Sequence, residues 1–411
     1  MNGKKIYKFS ENTLSLFSIK AIELGLTIFL IPYLISRVGL LNYGSYVFAM
    51  ALIIFLQNVM NYGFNLATVR EVAKNKKDKK VINAIFSTVF SVKIFLLILI
   101  CIFLSTLIFS IPEYYSQKEM YFFASLILVG DLFSLRWFFL GMEQMKFKAI
   151  INFFNTLLYL LFVLVLVQNK TDFYWIPFAE GIAFIMVSMI SFVMVIKRYK
   201  IVIKLISVSE IINYLKLNFS AFINLLLPST FGVVAVFLVG VFGMPTQVSF
   251  MQIGVKVSNA FCTLNSILTL VFYPMVNRNK SIMFNSRIVL LTLGVILSLT
   301  MYFSSDFFIK NWLRFEASEN INYLIKIVYL LSPMPILVAI ISSYGINGLL
   351  PFLKDKLFSY ITVLSMLFML FLAWLLIPVF KFYGGAIAFL GGRFVYAGLS
   401  YFLFKKTKKS V

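Results

Sequence analysis

The chain has 411 residues, of which 61% are hydrophobic and 13% charged, with a mean hydropathy of +0.95 and a formal net charge of +22. Apolar content at this level excludes a soluble globular domain and marks an all-α polytopic membrane protein. With no histidine and two cysteines, Ser-His and Cys-His chemistry is excluded and no enzymatic activity is expected.

Runs of about 20 apolar residues, enough to cross a roughly 30 Å hydrocarbon core, predict twelve transmembrane helices. They lie at 12–36, 43–68, 83–110, 120–140, 149–168, 173–196, 217–242, 248–274, 287–305, 321–346, 357–379 and 384–404. A barrel is excluded because its strands would alternate over about ten residues, whereas these runs are long and continuous. The basic N-terminus leads into a full-length span with no cleavage pattern, so the first helix is read as its own insertion signal.

Nine charges fall inside these runs: Lys20, Glu23, Lys93, Asp131, Arg136, Glu180, Lys256, Lys326 and Arg393. Each would cost roughly 2.5–3.5 kcal/mol at the centre of a lipid-facing helix, so they are expected to face a polar interior. Six of the nine are basic, which points to a path for something polar and anionic. In the first predicted helix Thr13, Lys20, Glu23 and Thr27 share one face, and Lys20 can pair with Glu23 across a turn. In the second, Asn58, Asn61, Asn65 and Thr68 form an uncharged polar face suited to sugar hydroxyls or to close packing. Asp131 and Arg136 are five apart, point away from each other on an ideal helix and should not pair. Lys93 and Glu180 could face the interior of either half, and Arg136 and Lys326 could snorkel to the interface. Cys101 and Cys262 have neither metal-ligand nor disulfide spacing and read as small core residues. No metal or other cofactor is implied.

The stretch 197–216 is the longest basic break and lies at the midpoint, so it reads as an amphipathic cytoplasmic connector between a six-helix lobe at 1–204 and another at 205–411. The residues Gly39 to Tyr46 resemble Gly243 to Phe250 at an offset of 204, the kind of trace that parallel six-helix repeats leave. In the seventh helix Pro228 predicts a bend. The eighth has the sharpest pattern: Ser249, Gln252, Lys256, Asn259, Thr263, Ser266 and Tyr273 recur at helical spacing on one face, a stripe expected to line an aqueous lumen. Arg393 in the last helix follows Gly391 and Gly392, where helices can approach closely.

Of the 37 basic residues, 25 fall in loops on the side of the N-terminus and six in the alternate loops. That asymmetry places both termini in the cytoplasm. It also accounts for most of the positive charge, which is dispersed over short segments, so nucleic acid is not an expected partner.

Several segments resemble the O-antigen flippases, the Wzx-type polysaccharide transporters of the multidrug/oligosaccharidyl-lipid/polysaccharide exporter superfamily. They are Tyr33-Leu-Ile-Ser-Arg37-Val-Gly39 with Tyr43-Gly44-Ser-Tyr46; Tyr62-Gly-Phe-Asn65-Leu-Ala-Thr68-Val-Arg70-Glu71-Val-Ala-Lys74; Trp137-Phe-Phe-Leu-Gly141-Met-Glu143; and the Asp172 turn. The second half matches loosely, through the eighth helix and its closing Tyr273-Pro274. The resemblance implies two six-helix bundles in a MATE-like V in a bacterial inner membrane. It implies transport of undecaprenyl-diphosphate-linked oligosaccharide repeat units from the cytoplasmic to the periplasmic leaflet by alternating access, with other polysaccharide-assembly membrane proteins as further partners. On that arrangement Lys20 and Lys256 face each other and contact the diphosphate, while Gln252, Asn259, Arg393, Asn61 and Asn65 complete the substrate path. Ion coupling would use Glu23, Asp131 or Glu180. The alternative is an ion-coupled drug or metabolite exporter on the same fold, for which embedded carboxylates would be expected to outnumber the cations.

Overall fold

The computed structural model describes residues 3–64, 67–313, 317–352 and 354–409, and its chain divides into two compact units, Met1–Leu226 and Leu227–Val411. Among the described residues there is no strand, and ten helices are long and apolar enough to cross a membrane. Two of them contain two crossings each. Helix α1 (Gly3–Met60) has 58 residues, about 87 Å of helix against a core of roughly 30 Å, and its backbone leaves helical geometry at Gly39, with φ 79°. The last helix, Asp355–Lys409, has 55 residues and breaks at Lys381, with φ 51°. Opened at these two points, the helices give the twelve crossings predicted from the sequence.

In unit 1, α1 is followed by α2 (Ala67–Lys74), α3 (Lys79–Ser110), the short α4 (Pro112–Tyr115), α5 (Lys118–Leu132), α6 (Arg136–Gly141), α7 (Met145–Leu166), a 3₁₀ turn (Lys170–Tyr174) and α8 (Trp175–Tyr199). Helix α9 (Val208–Phe242) begins in unit 1 and ends in unit 2. The division between units therefore falls inside a continuous helix, beside Pro228. Helix α9 passes through Pro228 as one helical element.

Within the connector at 197–216, α8 ends at Tyr199 and α9 begins at Val208. Residues 201–207 are extended and lie along α3: the backbone N–H groups of Val202, Lys204 and Ile206 donate to Asn83 Oδ1, Ser87 Oγ and Ser91 Oγ at 3.2, 2.9 and 3.1 Å. The match is metric. Two residues of extended chain advance about 6.6 Å and four of helix about 6.0 Å, so every second N–H meets the next turn's side chain. Ser207 then starts α9, its amide and hydroxyl both donating to Glu210 Oε2.

The polar series predicted on the second crossing is also interrupted. The helix stops at Met60, because the next residues turn with positive φ at Tyr62 (29°) and Gly63 (76°). Asn58 and Asn61 are on or just beyond α1, Thr68 belongs to α2, and Asn65 lies outside the described residues. A Cβ at Gly63 would meet the Phe222 backbone nitrogen at 2.9 Å, so this glycine allows α9 to pack directly on the turn. Tyr62 stacks on Phe222 with ring centroids 4.3 Å apart and donates to the Leu215 carbonyl, and Thr68 and Tyr214 hydroxyls are 3.1 Å apart.

Unit 2 continues with α10 (Pro245–Arg278), α11 (Ile282–Trp312), α12 (Ser318–Leu331), α13 (Met334–Ile340), a π-helical segment (Ile341–Leu349), a 3₁₀ turn (Leu350–Phe352) and α14 (Asp355–Lys409). The two similar segments found in the sequence occupy equivalent places: Gly39 breaks α1, and Gly243 lies in the short gap between α9 and α10. Helices α11 and α14 present large exposed apolar side chains, among them Phe303, Phe307, Trp374 and Val379, as expected of surfaces solvated by lipid rather than water. Cys262 is buried as expected, but Cys101 is exposed on α3 and is not a core residue.

Candidate functional site

Helix α10 carries the full predicted stripe on one unbroken helix. One face packs into unit 2 through Met251, Val255, Cys262 and Val276. On the other, Lys256 and Asn259 are exposed and Gln252 is half-buried. The periodicity thus separates two faces as amphipathic spacing dictates. The upper end differs, since Ser249 is fully buried. Thr263 and Ser266 turn their hydroxyls back onto the carbonyls of Asn259 and Cys262, at 2.8 and 3.1 Å, which satisfies them within their own helix.

Arg393 of α14 sits between two aromatic rings, 4.7 Å from the centroid of Phe231 on α9 and 5.7 Å from that of Phe389. Its Nε is buried without a hydrogen-bond partner. Stacking on π faces holds a guanidinium in an apolar unit without a carboxylate. The sequence did not single out Arg287, which α11 places in the same kind of setting. Its guanidinium lies 4.6 Å from the Tyr344 ring and 4.5 Å from Phe404, with Nε and Nη2 buried and unpartnered.

Unit 1 treats its charges differently. Lys93 of α3 and Asp131 of α5 form a fully buried ion pair, Nζ to Oδ2 2.9 Å, and Lys93 also donates to the Asp131 carbonyl. Gln57 completes the carboxylate's coordination by donating to Oδ1 at 3.0 Å. Asp131 and Arg136 lie on separate helices, α5 and α6, and not on the one ideal helix expected; the exposed Arg136 guanidinium lies 5.4 Å from the Phe184 ring.

Glu180 of α8 accepts a 2.7 Å hydrogen bond from the buried Tyr46, whose hydroxyl is also 3.2 Å from that of Tyr159. Three elements, α1, α7 and α8, therefore meet around one carboxylate. The sequence showed Glu180 but gave no sign of the tyrosines, which come from positions 134 and 21 residues away.

Asn61 donates to the Gln57 carbonyl at 2.9 Å, one turn back. The side chains of Lys20 and Glu23 lie outside the described residues. Lys326 is exposed on α12.

The segments that carried the family resemblance are joints of unit 1. The α6 residue Gly141 packs on Val72 of α2, where a Cβ would fall 2.6 Å from the valine side chain, and Lys76 pairs with Glu143 at 3.0 Å. At the other end Tyr33 donates to the Val167 carbonyl and Asn42 to that of Lys170, beside the turn that Asp172 caps by accepting from the Gln168 and Asn169 amides.

Residues 9–280 match the family described as polysaccharide biosynthesis protein. The chain is 25% identical over 398 residues, covering 95% of each sequence, to an Escherichia coli (strain K12) protein named "Putative O-antigen transporter". It is 24% identical over 385 residues to a Shigella dysenteriae protein of the same name, covering 92% of this chain and 96% of that one. Among solved structures, its fold is similar to lipid II flippase MurJ in an inward closed conformation, with TM-score 0.77, 13% identity and coverage of 95% of this chain and 87% of that one. It is also similar to an inward-facing multidrug resistance MATE family transporter, with TM-score 0.70, 12% identity and coverage of 94% and 95%. Likeness at these identities speaks to the fold.

Proposed function

The chain belongs to the polysaccharide biosynthesis protein family, and from that premise we propose that it is a flippase for undecaprenyl-diphosphate-linked repeat units of O-antigen or a related surface polysaccharide. It carries them from the cytoplasmic to the periplasmic leaflet of a bacterial inner membrane by alternating access through a cationic cleft, with both termini cytoplasmic. The observation that carries this reading is Lys256, an exposed cation in the middle of the α10 polar stripe.

The chemistry follows from the cost of moving the headgroup. A diphosphate in a low-dielectric core is strongly disfavoured unless cations accompany it. Lys256 supplies a point charge that can follow either phosphate, and Gln252 and Asn259, one turn on either side, supply amides for sugar hydroxyls or phosphate oxygens. Arg393 adds positive potential from unit 2, and Lys20 is the proposed counterpart on the first crossing, with Asn61 and Asn65 as further polar contacts. The polyprenyl chain stays in lipid, where its transfer requires no polar partner. Relatives named as O-antigen transporters support this substrate class.

Ion coupling is proposed for Glu180, with Asp131 and Glu23 as the other embedded carboxylates. Glu180 is a carboxylate within a span that accepts a hydrogen bond from the Tyr46 hydroxyl, which in turn lies beside that of Tyr159.

The deciding experiment uses cells lacking the protein and measures, in spheroplasts, how much lipid-linked oligosaccharide is accessible to a sugar-modifying enzyme added outside. Trapping of the oligosaccharide inside, relieved by the wild type but not by Lys256→Ala at equal membrane level, is expected. Unchanged outside accessibility in the deletion strain would reject the flippase reading and favour export of drugs or metabolites.

A further inference from the structure

We propose that unit 1 has a lipid site between α3 and α5, a groove that takes the hydrocarbon of one aminophospholipid whose phosphate meets Lys118 and whose ammonium meets Glu119. The groove has a volume of about 470 Å³, within the roughly 300–1,000 Å³ usual for ligand sites. Its floor is Leu104 of α3 and Tyr121 of α5, both buried. Ile108 and Phe109 form one wall, Phe122 and Phe123 the other.

The way the two helices are joined sets the place of the groove. The buried pair Lys93–Asp131 ties them together, and α4 links their far ends. Between those points Cys101 to Phe109 of α3 line the groove over about 12 Å of helix. Of the two serines among the lining residues, Ser125 turns its hydroxyl onto the Phe122 carbonyl at 2.7 Å, so the walls ask little of an occupant but apolar contact. Aromatic side chains mark the mouth as the membrane–water boundary: the Tyr115 ring lies 5.9 Å from that of Phe109, and Trp175 stacks on Phe123 at 5.4 Å.

Charge at the mouth selects the headgroup. Lys118 and Glu119 are adjacent, exposed and both line the groove. The Lys118 ammonium is held over the Tyr115 ring, 4.5 Å from its centroid, and among the described residues neither Lys118 nor Glu119 takes part in an ion pair. A cation beside an anion complements a headgroup that carries phosphate and ammonium together, while Glu119 repels one that is anionic only. The general attraction of anionic lipid to basic surfaces acts at the opposite end of α3, beside Arg70 to Lys80. Selection at this end therefore falls to the two side chains. The groove belongs wholly to unit 1, and the proposal does not depend on the transport reading.

The test is native mass spectrometry of the full-length, delipidated protein with three probes: phosphatidylethanolamine, phosphatidylglycerol and diacylglycerol. Wild type is expected to retain phosphatidylethanolamine most strongly and diacylglycerol least. Lys118→Gln should weaken retention of both phospholipids roughly fivefold, the scale of one exposed ion pair. Glu119→Gln should remove the preference for phosphatidylethanolamine over phosphatidylglycerol. Ser105→Trp, which puts an indole into the groove from the α3 side, should abolish retention. All three positions are exposed, so these variants keep the packing of the fold. Lys310→Gln, which removes an exposed lysine of unit 2, should change nothing. Equal retention of the three probes, or wild-type retention by Ser105→Trp, overturns the groove as a lipid site. A wild-type preference for phosphatidylglycerol, or a preference unchanged in Glu119→Gln, overturns the choice of headgroup.

Discussion

Lys93 and Asp131, 38 residues apart on α3 and α5, share an ion pair that is 1% and 0% exposed, with Nζ 2.9 Å from Oδ2 and 2.6 Å from the same residue's backbone oxygen. Gln57 holds the other carboxylate oxygen. A pair this buried gains its Coulomb energy only by overcoming a large desolvation cost, so its removal as a unit differs from its halving. Asp131→Asn alone strands a buried ammonium and should cost about 3–5 kcal/mol. Lys93→Met with Asp131→Leu should recover most of that. Thermal unfolding of the detergent-purified protein reads both, and a double variant no better than the single would disprove the pairing argument.

Lys256→Gln should abolish outward exposure of lipid-linked oligosaccharide without lowering membrane level, because the exposed residue carries no packing load. Lys256→Arg should retain part of the activity, since the charge remains while the shape changes. Full activity in Lys256→Gln would remove this residue from the path.

Glu180→Gln should flatten the dependence of transport on the pH or sodium gradient, while Tyr46→Phe, which deletes the 2.7 Å hydrogen bond to the carboxylate, should shift the dependence without abolishing transport. Gradient-driven uptake into inverted vesicles measures both. If Glu180→Gln keeps the wild-type gradient dependence, the coupling role is lost.

The amides of Val202, Lys204 and Ile206 should exchange slowly in hydrogen–deuterium exchange, protected by the side chains of Asn83, Ser87 and Ser91. Replacing all three by Ala should free the strap, at about 1 kcal/mol for each lost hydrogen bond. Unchanged protection in the triple variant would show that packing, and not this ladder, holds the segment.

Gly63→Ala should destabilise unit 1 by more than about 1 kcal/mol, because alanine is strained at φ 76° and its Cβ would meet the Phe222 backbone. Gly398→Ala is the control, with open space around the added methyl. Equal melting temperatures for the two variants would count against the close approach of α9 to this turn.

How much was legible varies with the kind of residue. The residues of the α10 stripe stay on one continuous helix, because 3- and 4-residue spacing survives folding wherever the helix does. The same spacing misled across Asn58, Asn61 and Thr68, where the helix ends at Met60 and the positive φ at Tyr62 and Gly63 cannot be inferred from the polar periodicity. Asn83, Ser87 and Ser91 were spaced in plain view at four residues, but their partner is an extended segment more than 110 residues later. The segments that carried the family resemblance include close joints such as Gly141 on Val72, where an added Cβ would meet the valine side chain at 2.6 Å.

Membrane character and the number of crossings were decided along the chain, since the bilayer demands backbone satisfaction within each segment and about 20 apolar residues to provide it. The same local demand made the repeated glycine openings at Gly39 and Gly243 readable. The fate of each embedded charge was decided only in three dimensions. Lys93 is neutralised, Arg393 is stacked between rings and Lys256 is left exposed, although all three look alike in sequence. The reason is range: hydropathy acts on consecutive residues, whereas a charge is settled by partners a few ångströms away that packing brings from distant helices.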